Sequence, residues 1–574
     1  MPSERLIPTP AAPTVATFTI LSEGEAVSRV HDVLSIIVHY EANRIPTATL
    51  IIRDGDAAAQ TFEASNTDLF IPGKRIEVKA GYQGTEDTIF TGVVISQSVK
   101  IREQSSVLKV VAKDEAFKMT VGINNRYFRD QKDSDVIEDI IRQNGLQADV
   151  EATAPTHPEV VQYNSSDWDF MLTRAEMNSK ICIVENGRLS IAEPDFSQAP
   201  AQALQYGATL LEFDAEIDAR QQFRSVKSRA WGIASQELLE SEEGSVNVPE
   251  AGNLSSGDLA DVHGVNPFAQ AHSGNLAEVE LQAWTKARLL KSRLAKIRGR
   301  AKFQGLATIK PGTLVKLQGV GERFEGNVFV SAVRHEIGKG NWLTDAQFGL
   351  SPEWFVQKYK VTQPEAGGML PPVSGLQVGV VTQLENDPLG EHRVMVRLPV
   401  ISPEDEGTWA RVATLDAGEE RGSFFRPEIG DEVIVGFLND DPRHPIIIGS
   451  CHSSAKPAPL EATDENHEKG FVTRSGMKWL FNDDKKNVLL ETPDGNKILV
   501  SGEDQSIQLE DQNGNKITMD SSGITIESAR DINLKASQGD INIEGINLKA
   551  KGNGTAEFSA GGTTTLKGGL VQIN

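Results

Sequence analysis

The sequence predicts a mainly β, multidomain protein whose last hundred or so residues form a triple-stranded β-helix in a homotrimer. Three features of residues 476–574 lead to this prediction. Pairs of apolar residues separated by one polar residue recur every seven to ten residues, Gly or Asn-Gly lies between several pairs, and aromatic residues are few. Each pair fits one half-buried strand, and each Gly fits a tight turn.

A single-chain β-helix needs about three strands per coil, so its period would be roughly 20 residues. With one strand per period, one chain cannot enclose its own apolar side, but three copies wound together can. We therefore expect a stiff needle without free sheet edges. The residues expected in its core are Ile507, Leu509, Ile517, Ile524, Ile526, Ile532, Leu534, Ile541 and Ile543. The alternative is an ordinary antiparallel meander, which would pack poorly as a sandwich with so few aromatic residues.

The length and charge of the chain limit the remaining possibilities. A chain of 574 residues holds several domains. Its 57 Lys and Arg against 80 Asp and Glu give a net charge of −23, which disfavours a nucleic-acid binder. Cys182 and Cys451 have no metal-ligand spacing and are typical of a reducing compartment. The start lacks the apolar segment of a signal peptide, so we expect folding in the cytoplasm, with export only by a dedicated machine.

The first half of the chain alternates between strand and helix patterns. Residues 1–16, rich in Pro and Ala, are expected to form a flexible arm, and about six strands in residues 17–114 predict a small barrel or sandwich. Helices are expected over residues 133–146 and from about Ser165. Residues 237–275 are acidic and weakly periodic, so we expect a long loop or insertion.

A strongly basic run begins within the helix predicted over residues 276–297. Such a run is usually a solvated helix face, but it can also face an acidic partner or cargo. The residues of this possible partner or cargo surface are Lys286, Lys291, Arg293 and Lys296. Strands after residue 305 indicate a second small barrel.

The second half divides by composition. Residues 362–374 are a Pro/Gly linker, residues 375–450 a compact all-β module, residues 451–475 a neck, and residues 476–574 the needle.

The all-β module carries a specific resemblance. The string F-R-P-E-I-G-D-E-V-I-V-G-F-L-N-D-D-P-R-H-P-I-I-I-G at residues 425–449, with residues 381–399 and T-W-A-R-V-A at 408–413, closely resembles the oligosaccharide/oligonucleotide-binding (OB) fold module of VgrG spike proteins. The positions of this motif are Asn386, Asp387, Pro388, Trp409, Arg411, Pro427, Gly430, Asp431, Glu432, Pro445 and Gly449. Residues 17–361 are similar to the phage hub or late-control protein.

This resemblance implies a function and a set of partners. VgrG proteins are homotrimeric central spikes of type VI secretion systems, with relatives in extracellular contractile injection systems and contractile phage tails. The hub would dock on inner tube and baseplate proteins, and the needle would carry a PAAR-type tip protein or an effector cargo through the target membrane. Several phrases, such as E-A-N-R-I-P-T-A at residues 41–48, are closer to spikes of the extracellular systems. Assembly is expected in the cytoplasm, followed by release or ejection with the particle.

We expect no catalytic, cofactor or metal site. The phage T4 relative carries a lysozyme domain before its needle, but residues 451–469 are too few for a domain, and the repeat still runs at Asn574. The aromatic residues of the OB module, which could stack single-stranded nucleic acid, are expected to be core or collar packing. The alternative function is a phage-like tailspike or cell-wall-degrading enzyme, which would need a pair of carboxylates across a groove.

Overall fold

The computed structural model describes residues 15–103, 105–274, 276–359, 361 and 371–573. The chain divides into two compact units, Met1–Pro364 and Glu365–Asn574. Most of the predicted arm and linker therefore lies outside the described residues. The first strand begins at Ala16, the last residue assigned to the arm.

The N-terminal unit is built on one large sheet. In chain order, the strands and helices of this unit are β1 (Ala16–Ser22), β2 (Glu25–Ala26), β3 (Val33–Glu41), β4 (Thr47–Arg53), β5 (Arg75–Tyr82), β6 (Thr85–Arg102), β7 (Ser105–Lys113), β8 (Asn124–Lys132), α1 (Asp133–Gln143), β9 (Gln147–Val150), β10 (Thr156–Ser165), α2 (Asp167–Met177), β11 (Ile181–Glu185), β12 (Arg188–Ala192), β13 (Gln202–Gln205), β14 (Leu210–Ile217), β15 (Val226–Gly232), β16 (Glu237–Glu243), α3 (Ser256–Ala260), β17 (Phe268–His272), α4 (Glu278–Leu294), β18 (Ile297–Gln304), β19 (Leu314–Gln318), β20 (Gly326–Gly338), β21 (Asn341–Phe348) and α5 (Phe355–Lys358).

The two predicted barrels are the two halves of a single 13-stranded sheet. Its strand order is β14-β18-β21-β20-β3-β4-β7-β6-β5-β1-β2, with β19 and β13 branching from β20. Each half curls around its own apolar core, one centred on Leu50 and Phe90 and the other on Val330 and Phe348. The halves meet where β3 and β20 pair antiparallel, from Ile36 opposite Ile337 to Glu41 opposite Ala332. The prediction of two separate barrels missed this shared pairing.

A helical layer follows the first half of the sheet. The helix predicted over residues 133–146 is α1, and it ends at Gln143, two residues before Gly145 adopts a positive φ of 73°. The predicted second helix is α2, where the Ser166 side chain accepts the backbone N–H of Asp169 as an N-cap. Both helices bury apolar side chains against the short sheet of β9, β11 and β12.

Residues 237–275 are not the long loop that their composition suggested. They contain β16, α3 and β17, and both strands pair with β15. The short helix α3 starts with a capping box, in which Ser255 and Asp258 satisfy each other's backbone N–H groups. Four of the acidic residues of this segment, Glu237, Glu240, Glu242 and Glu243, lie on β16.

The C-terminal unit contains a closed barrel and an antiparallel sheet. Its strands are β22 (Gln377–Gln383), β23 (Val394–Arg397), β24 (Thr408–Val412), β25 (Ala417–Gly418), β26 (Arg421–Gly422), β27 (Glu432–Phe437), β28 (Pro445–Ser450), β29 (Glu468–Val472), β30 (Lys478–Asn482), β31 (Asn487–Glu491), β32 (Lys497–Ser501), β33 (Ser506–Glu510), β34 (Lys516–Asp520) and β35 (Gly523–Glu527). The barrel has the order β22-β23-β24-β28-β27. Five closed strands around Val394, Val396 and Val435 fit the expected OB fold.

The predicted needle begins with a meander within one chain. Strands β29–β35 pair antiparallel in sequence order, so the first strand lies at Glu468, inside the predicted neck. The meander that we set aside as the alternative is therefore the local arrangement up to Glu527. Residues 528–573 form no strand, and all of them except Ser528 are exposed.

Candidate assembly surface

One face of the sheet β29–β35 carries two continuous rows of apolar side chains. Each of the last six strands contributes one residue to each row, because alternate residues of a strand point to the same face. The first row is Phe471, Trp479, Leu490, Ile498, Leu509, Ile517 and Ile526, and the second is Phe481, Val488, Val500, Ile507, Met519 and Ile524. We call these two rows the apolar face. It contains the predicted core residues between Ile507 and Ile526.

The apolar face is open to solvent in a single chain. Ile524 is 70% exposed, Ile526 is 55% exposed, and even Trp479 is 48% exposed. Covering apolar surface stabilises by roughly 25 cal/mol for each Å² removed from water. An uninterrupted face of this kind on a soluble protein marks an interaction surface.

The apolar face is hollow beside its last strands. A cavity of about 570 Å³ lies over the first row, and its lining also includes Ser528, Asp531 and Ile532 from the segment after β35. The apolar wall of this cavity includes Leu490, Ile498, Leu509 and Ile526. One chain thus leaves an unfilled volume at the place where the needle would have its interior.

The opposite face of the same sheet is charged along one margin. Lys478 pairs with Glu491 at 2.9 Å, and Lys497 pairs with Glu510 at 2.9 Å. The register continues the alternation, with Lys516 opposite both Glu510 and Glu527. Opposite charges in facing positions support this register.

The remaining predicted core residues lie beyond the sheet. Ile532, Leu534, Ile541 and Ile543 are each at least half exposed in residues 528–573. These residues keep the alternation of the strands before them, but their backbone has no strand partner among the residues that the structure describes. Since strands form by pairing, this segment needs neighbours from outside the chain to become a sheet.

The residues of the OB motif build loops and strand ends of the barrel. Asn386 adopts a positive φ of 64°, which turns the chain into a loop organised by Asp387. The Asp387 carboxylate accepts the backbone N–H groups of Leu389, Glu391 and Arg393, and it lies 2.5 Å from the Arg393 guanidinium. The hydrogen bond from Arg393 holds the pKa of Asp387 well below its usual range. Pro388 is exposed beside it.

The other motif residues have comparable structural positions. Trp409 lies under the Arg393 guanidinium, 6.0 Å from it. Gly430 has a positive φ of 86° before β27, and Asp431 pairs with Lys456 at 3.0 Å. The remaining members are Arg411, Glu432, Pro445 and Gly449, which lie in paired strands, and Pro427, which is half-buried in the loop before β27. The motif therefore specifies the shape of the barrel.

The basic run is not a solvated helix face. It is divided between α4, which ends at Leu294, and β18. Lys291 is 15% exposed and lies 2.8 Å from Glu176, while Lys296 is 5% exposed and lies 2.9 Å from Glu250.

The two remaining cations of the predicted surface are also engaged within the unit. Lys286 pairs with Glu193 at 2.6 Å, and Arg293 donates to the Phe223 carbonyl at 2.6 Å. Lys286, Lys291 and Arg293 therefore hold α4 to its own unit, and Lys296, just beyond the end of α4, is bound within the same unit.

Sequence reasoning missed a buried ionic cluster behind α4. Asp133, at the start of α1, lies 2.6 Å from Arg174 and 3.0 Å from His157, and Asn178 donates to it at 2.8 Å. Glu280, in the first turn of α4, lies 3.5 Å from Arg174. Burial raises the pKa of Asp133, but the hydrogen bonds and the Arg174 charge outweigh this effect and hold it at about 2. The cluster ties α1, α2, β10 and α4 together.

Sequence reasoning also missed a ladder of ion pairs between β14 and β18. Glu212 pairs with Lys302, Asp214 with Arg300, and Glu216 with Arg298, at 2.7–2.9 Å. These pairs face one another across the sheet, so alternate acids on one strand match alternate cations on the other. Matching the two alternations, L-E-F-D-A-E and R-G-R-A-K, could have indicated the pairing.

A larger cavity of about 610 Å³ lies in the N-terminal unit between α4, the end of α2 and the end of β21. Its charged lining includes Glu176 with Lys291 and Glu216 with Arg298, which neutralise each other. In the described part of the chain, no three His, Cys, Asp or Glu residues converge as metal ligands would. None of the helices described is long and apolar enough to span a bilayer.

Family models match three successive parts of the chain. The model described as the Alg8 N-terminal domain matches residues 12–339, more than half of the chain. The type VI secretion system/phage-baseplate injector OB domain matches residues 377–452, which hold the closed barrel. The phage baseplate V C-terminal trimerisation domain matches residues 487–574, which hold most of the apolar face. The chain belongs to the Alg8 N-terminal domain family and is a VgrG-type spike protein.

Curated relatives of this spike protein are VgrG proteins. The type VI secretion system spike protein VgrG1b of Pseudomonas aeruginosa is 24% identical over 382 residues, covering 61% of this chain and 50% of that protein. VgrG3 of Vibrio cholerae is 33% identical over 150 residues, which are 25% of this chain and 14% of VgrG3. The chain thus matches about half or less of the length of these relatives.

Solved structures overlap with large parts of the spike protein at low identity. A 43 kDa tail protein of prophage MuSo2 from Shewanella oneidensis is 12% identical, with 59% of this chain and 98% of that chain covered and a TM-score of 0.43. An E. coli component of the type VI secretion system, described as similar to the phage T4 tail proteins gp27 and gp5, is 13% identical, with 75% and 99% covered and a TM-score of 0.39. The family assignment rests on the sequence matches.

Proposed function

We propose that the protein is the structural central spike of a contractile injection system and that it works as a homotrimer. The observation that carries this proposal is the apolar face, which is open in one chain and continues into residues 528–573 without a strand partner. A trimerisation domain is the family match of this same region. Three copies would turn their apolar faces inward and supply strands to one another.

The proposed trimer explains why one face of the sheet is apolar and the other carries Lys–Glu pairs. Inside, Ile, Leu and Val would fill a narrow interior, including the cavity of about 570 Å³. Outside, the Lys and Glu pairs would remain in water. A closed sheet with a dry interior resists bending, because bending breaks backbone hydrogen bonds and opens packed side chains.

The role of such a spike is mechanical. Contraction of a sheath would supply the energy, the N-terminal unit would dock on inner tube and baseplate proteins, and the needle would concentrate the force on a small area of membrane. A PAAR-type tip protein and an effector cargo are the proposed partners at the needle, and contact with the target membrane would be transient. Particles would assemble in the cytoplasm and then be released or ejected. We assign no enzymatic step to the chain.

The first test is the solution mass of the purified full-length protein, together with negative-stain images of the same sample. A mass of three chains and a visible thin rod are expected. A compact monomer at micromolar concentration would overturn the proposal, because the apolar face would then be stable in water. A polysaccharide and peptidoglycan hydrolysis assay separates the spike from the enzymatic alternative.

A further inference from the structure

Four aromatic rings form a stack at the junction of the OB barrel and the sheet. The Phe425 ring lies 5.4 Å from Phe471, Phe471 lies 5.9 Å from Trp479, and Trp479 lies 5.5 Å from Phe481, measured between ring centroids. Phe425 belongs to the loop before β27, whereas the other three belong to β29 and β30. Aromatic pairs at these distances stabilise beyond the area that they bury.

Polar contacts connect the loop before β27 to the turn between β29 and β30 and to the segment that precedes β29. Glu428 lies 2.7 Å from Arg474, in the turn between β29 and β30, and Asp431 lies 3.0 Å from Lys456. The Phe425 ring therefore has a defined position relative to the sheet of its own chain. Phe425 is nevertheless 62% exposed and Phe471 44% exposed, so ring surface of the stack stays uncovered within one chain.

The aromatic stack is continuous with the apolar face. Phe471 and Trp479 begin the first apolar row, and Phe481 begins the second. The matched trimerisation domain starts at residue 487, so the stack lies just before it. A surface that covers the apolar face must also approach these rings, and the occupant that fits is a second copy of this chain.

The needle itself specifies the relative position of its chains poorly. Its later apolar pairs, Ile532 and Leu534 and then Ile541 and Ile543, are nearly equivalent and nine residues apart. Sliding one chain by a repeat would bring Ile against Ile again, with little loss of contact. Register is weakly specified wherever successive positions look alike. A correct register therefore needs a feature that occurs once.

The aromatic stack is such a feature. Residues 476–574 contain only three aromatic residues, two of which are Trp479 and Phe481. Their rings are larger than the Ile and Leu side chains of the repeats, so they cannot be accommodated at a repeat level of another chain without a steric clash or a void.

We propose that Phe425, Phe471, Trp479 and Phe481 of three copies form an aromatic collar that sets the longitudinal register of the chains. This inference rests on the proposed homotrimer. The collar brings the three OB barrels and the three sheets to one level, and the repeats downstream then pair in only one of their near-equivalent arrangements. The collar sets the register of the chains, whereas the long apolar rows supply the affinity between them.

Cys451 allows a direct measurement of register. It is exposed at the end of β28, while Cys182 is buried, so a nitroxide spin label will react at Cys451 in the native protein. Electron–electron double resonance then reports the distances between the three labels. A register slip by one repeat displaces a label along the axis by ~5 Å or more, the spacing of neighbouring strands.

The test compares Trp479→Leu and Phe425→Leu with the control Leu490→Ala, which removes apolar surface from the same row without removing an aromatic ring. We expect one narrow distance for the native protein and the control, and several distances in both Leu variants at an unchanged trimer mass. One narrow distance in both Leu variants would overturn the collar. Loss of the trimer in both would also overturn it, because the rings would then supply affinity. A monomeric native protein would instead overturn the proposed homotrimer.

Discussion

Ile517 on β34 lies directly opposite Ile526 on β35, and both side chains belong to the first row of the apolar face. In the proposed trimer, the three copies of Ile526 approach one another in the interior. Ile526→Asp would place three carboxylates there without partners. We expect the trimer to weaken by at least ~3 kcal/mol, roughly a hundredfold in dissociation constant.

Thr525 provides the matched control for Ile526. It neighbours Ile526 on β35 but points to the opposite face of the sheet, where Thr518 lies across from it. Thr525→Asp should leave the trimer intact. Sedimentation of the two variants at several concentrations measures the difference, and an intact trimer with Ile526→Asp would show that this face is not the interior.

Removing Lys291 from α4 is expected to cost much more stability than removing Lys286, although both residues belong to one basic run. Lys291 and Glu176 are both largely buried, and Glu176 also accepts the backbone N–H of Phe355 at 2.6 Å. Lys291→Ala leaves this carboxylate with one partner fewer, so we expect a loss of about 2–4 kcal/mol in the free energy of unfolding. Lys286→Ala breaks a half-exposed pair and should cost less than about 1 kcal/mol. Urea denaturation of both variants measures the contrast, and equal losses would contradict it.

The Asp133 cluster predicts a loss of stability in acid. The pKa of Asp133 is about 2 in the folded protein, below its ordinary value of 3.8. Because the pKa of Asp133 is lower in the folded protein than in the unfolded chain, its ionised carboxylate stabilises the folded protein at any pH above the unfolded pKa. This stabilisation is lost as the pH falls through the folded pKa. The native protein should therefore lose about 2 kcal/mol between pH 4 and pH 2 from this group.

Asp133→Asn isolates that contribution. The variant should be less stable than the native protein at pH 7, and the gap should narrow as the pH approaches 2. Paired urea titrations at pH 7 and near pH 2.5 measure the two gaps. A gap that is the same at both values would show that the ionised carboxylate does not carry the stabilisation.

A substitution at Gly470 on β29 tests the close pairing of β29 with β30. A Cβ atom at this position would lie 2.2 Å from the Trp479 carbonyl oxygen, a backbone atom that cannot move aside. Gly470→Ala should therefore separate β29 from β30 and destabilise this edge by about 1–3 kcal/mol. Amide hydrogen exchange in residues 468–482 should accelerate. Gly449→Ala is the control, because a Cβ atom at this position of β28 meets no atom within 4 Å, and it should leave exchange unchanged.

Features that depend on residues close together in the sequence could be predicted. The alternation that places Ile507 and Leu509 on one face repeats within a few positions, so it can be recognised without knowing which strand lies beside which. The same alternation fits strands paired within one chain and strands paired between chains. For this reason it did not reveal that β29–β35 form a meander before the unpaired segment begins.

Features that join distant parts of the chain escaped prediction. The carboxylates that pair with Lys291 and Lys296 are 115 and 46 residues away, respectively. A run of Lys and Arg has the same appearance whether those partners exist or not, so the helix was interpreted as a solvated face. The pairing of β3 with β20 likewise joins residues almost 300 positions apart, and composition carries no trace of it.

That pairing has a mechanical consequence. Ile36 to Glu41 on β3 face Ile337 to Ala332 on β20 along one line of backbone hydrogen bonds. A pull along the strand axis would load all these bonds at once in shear, whereas a pull across the sheet would unzip them one after another. The two halves of the sheet thus resist separation best when the pull runs lengthwise along β3 and β20. The direction of those two strands is therefore the direction in which this junction would be hardest to pull apart.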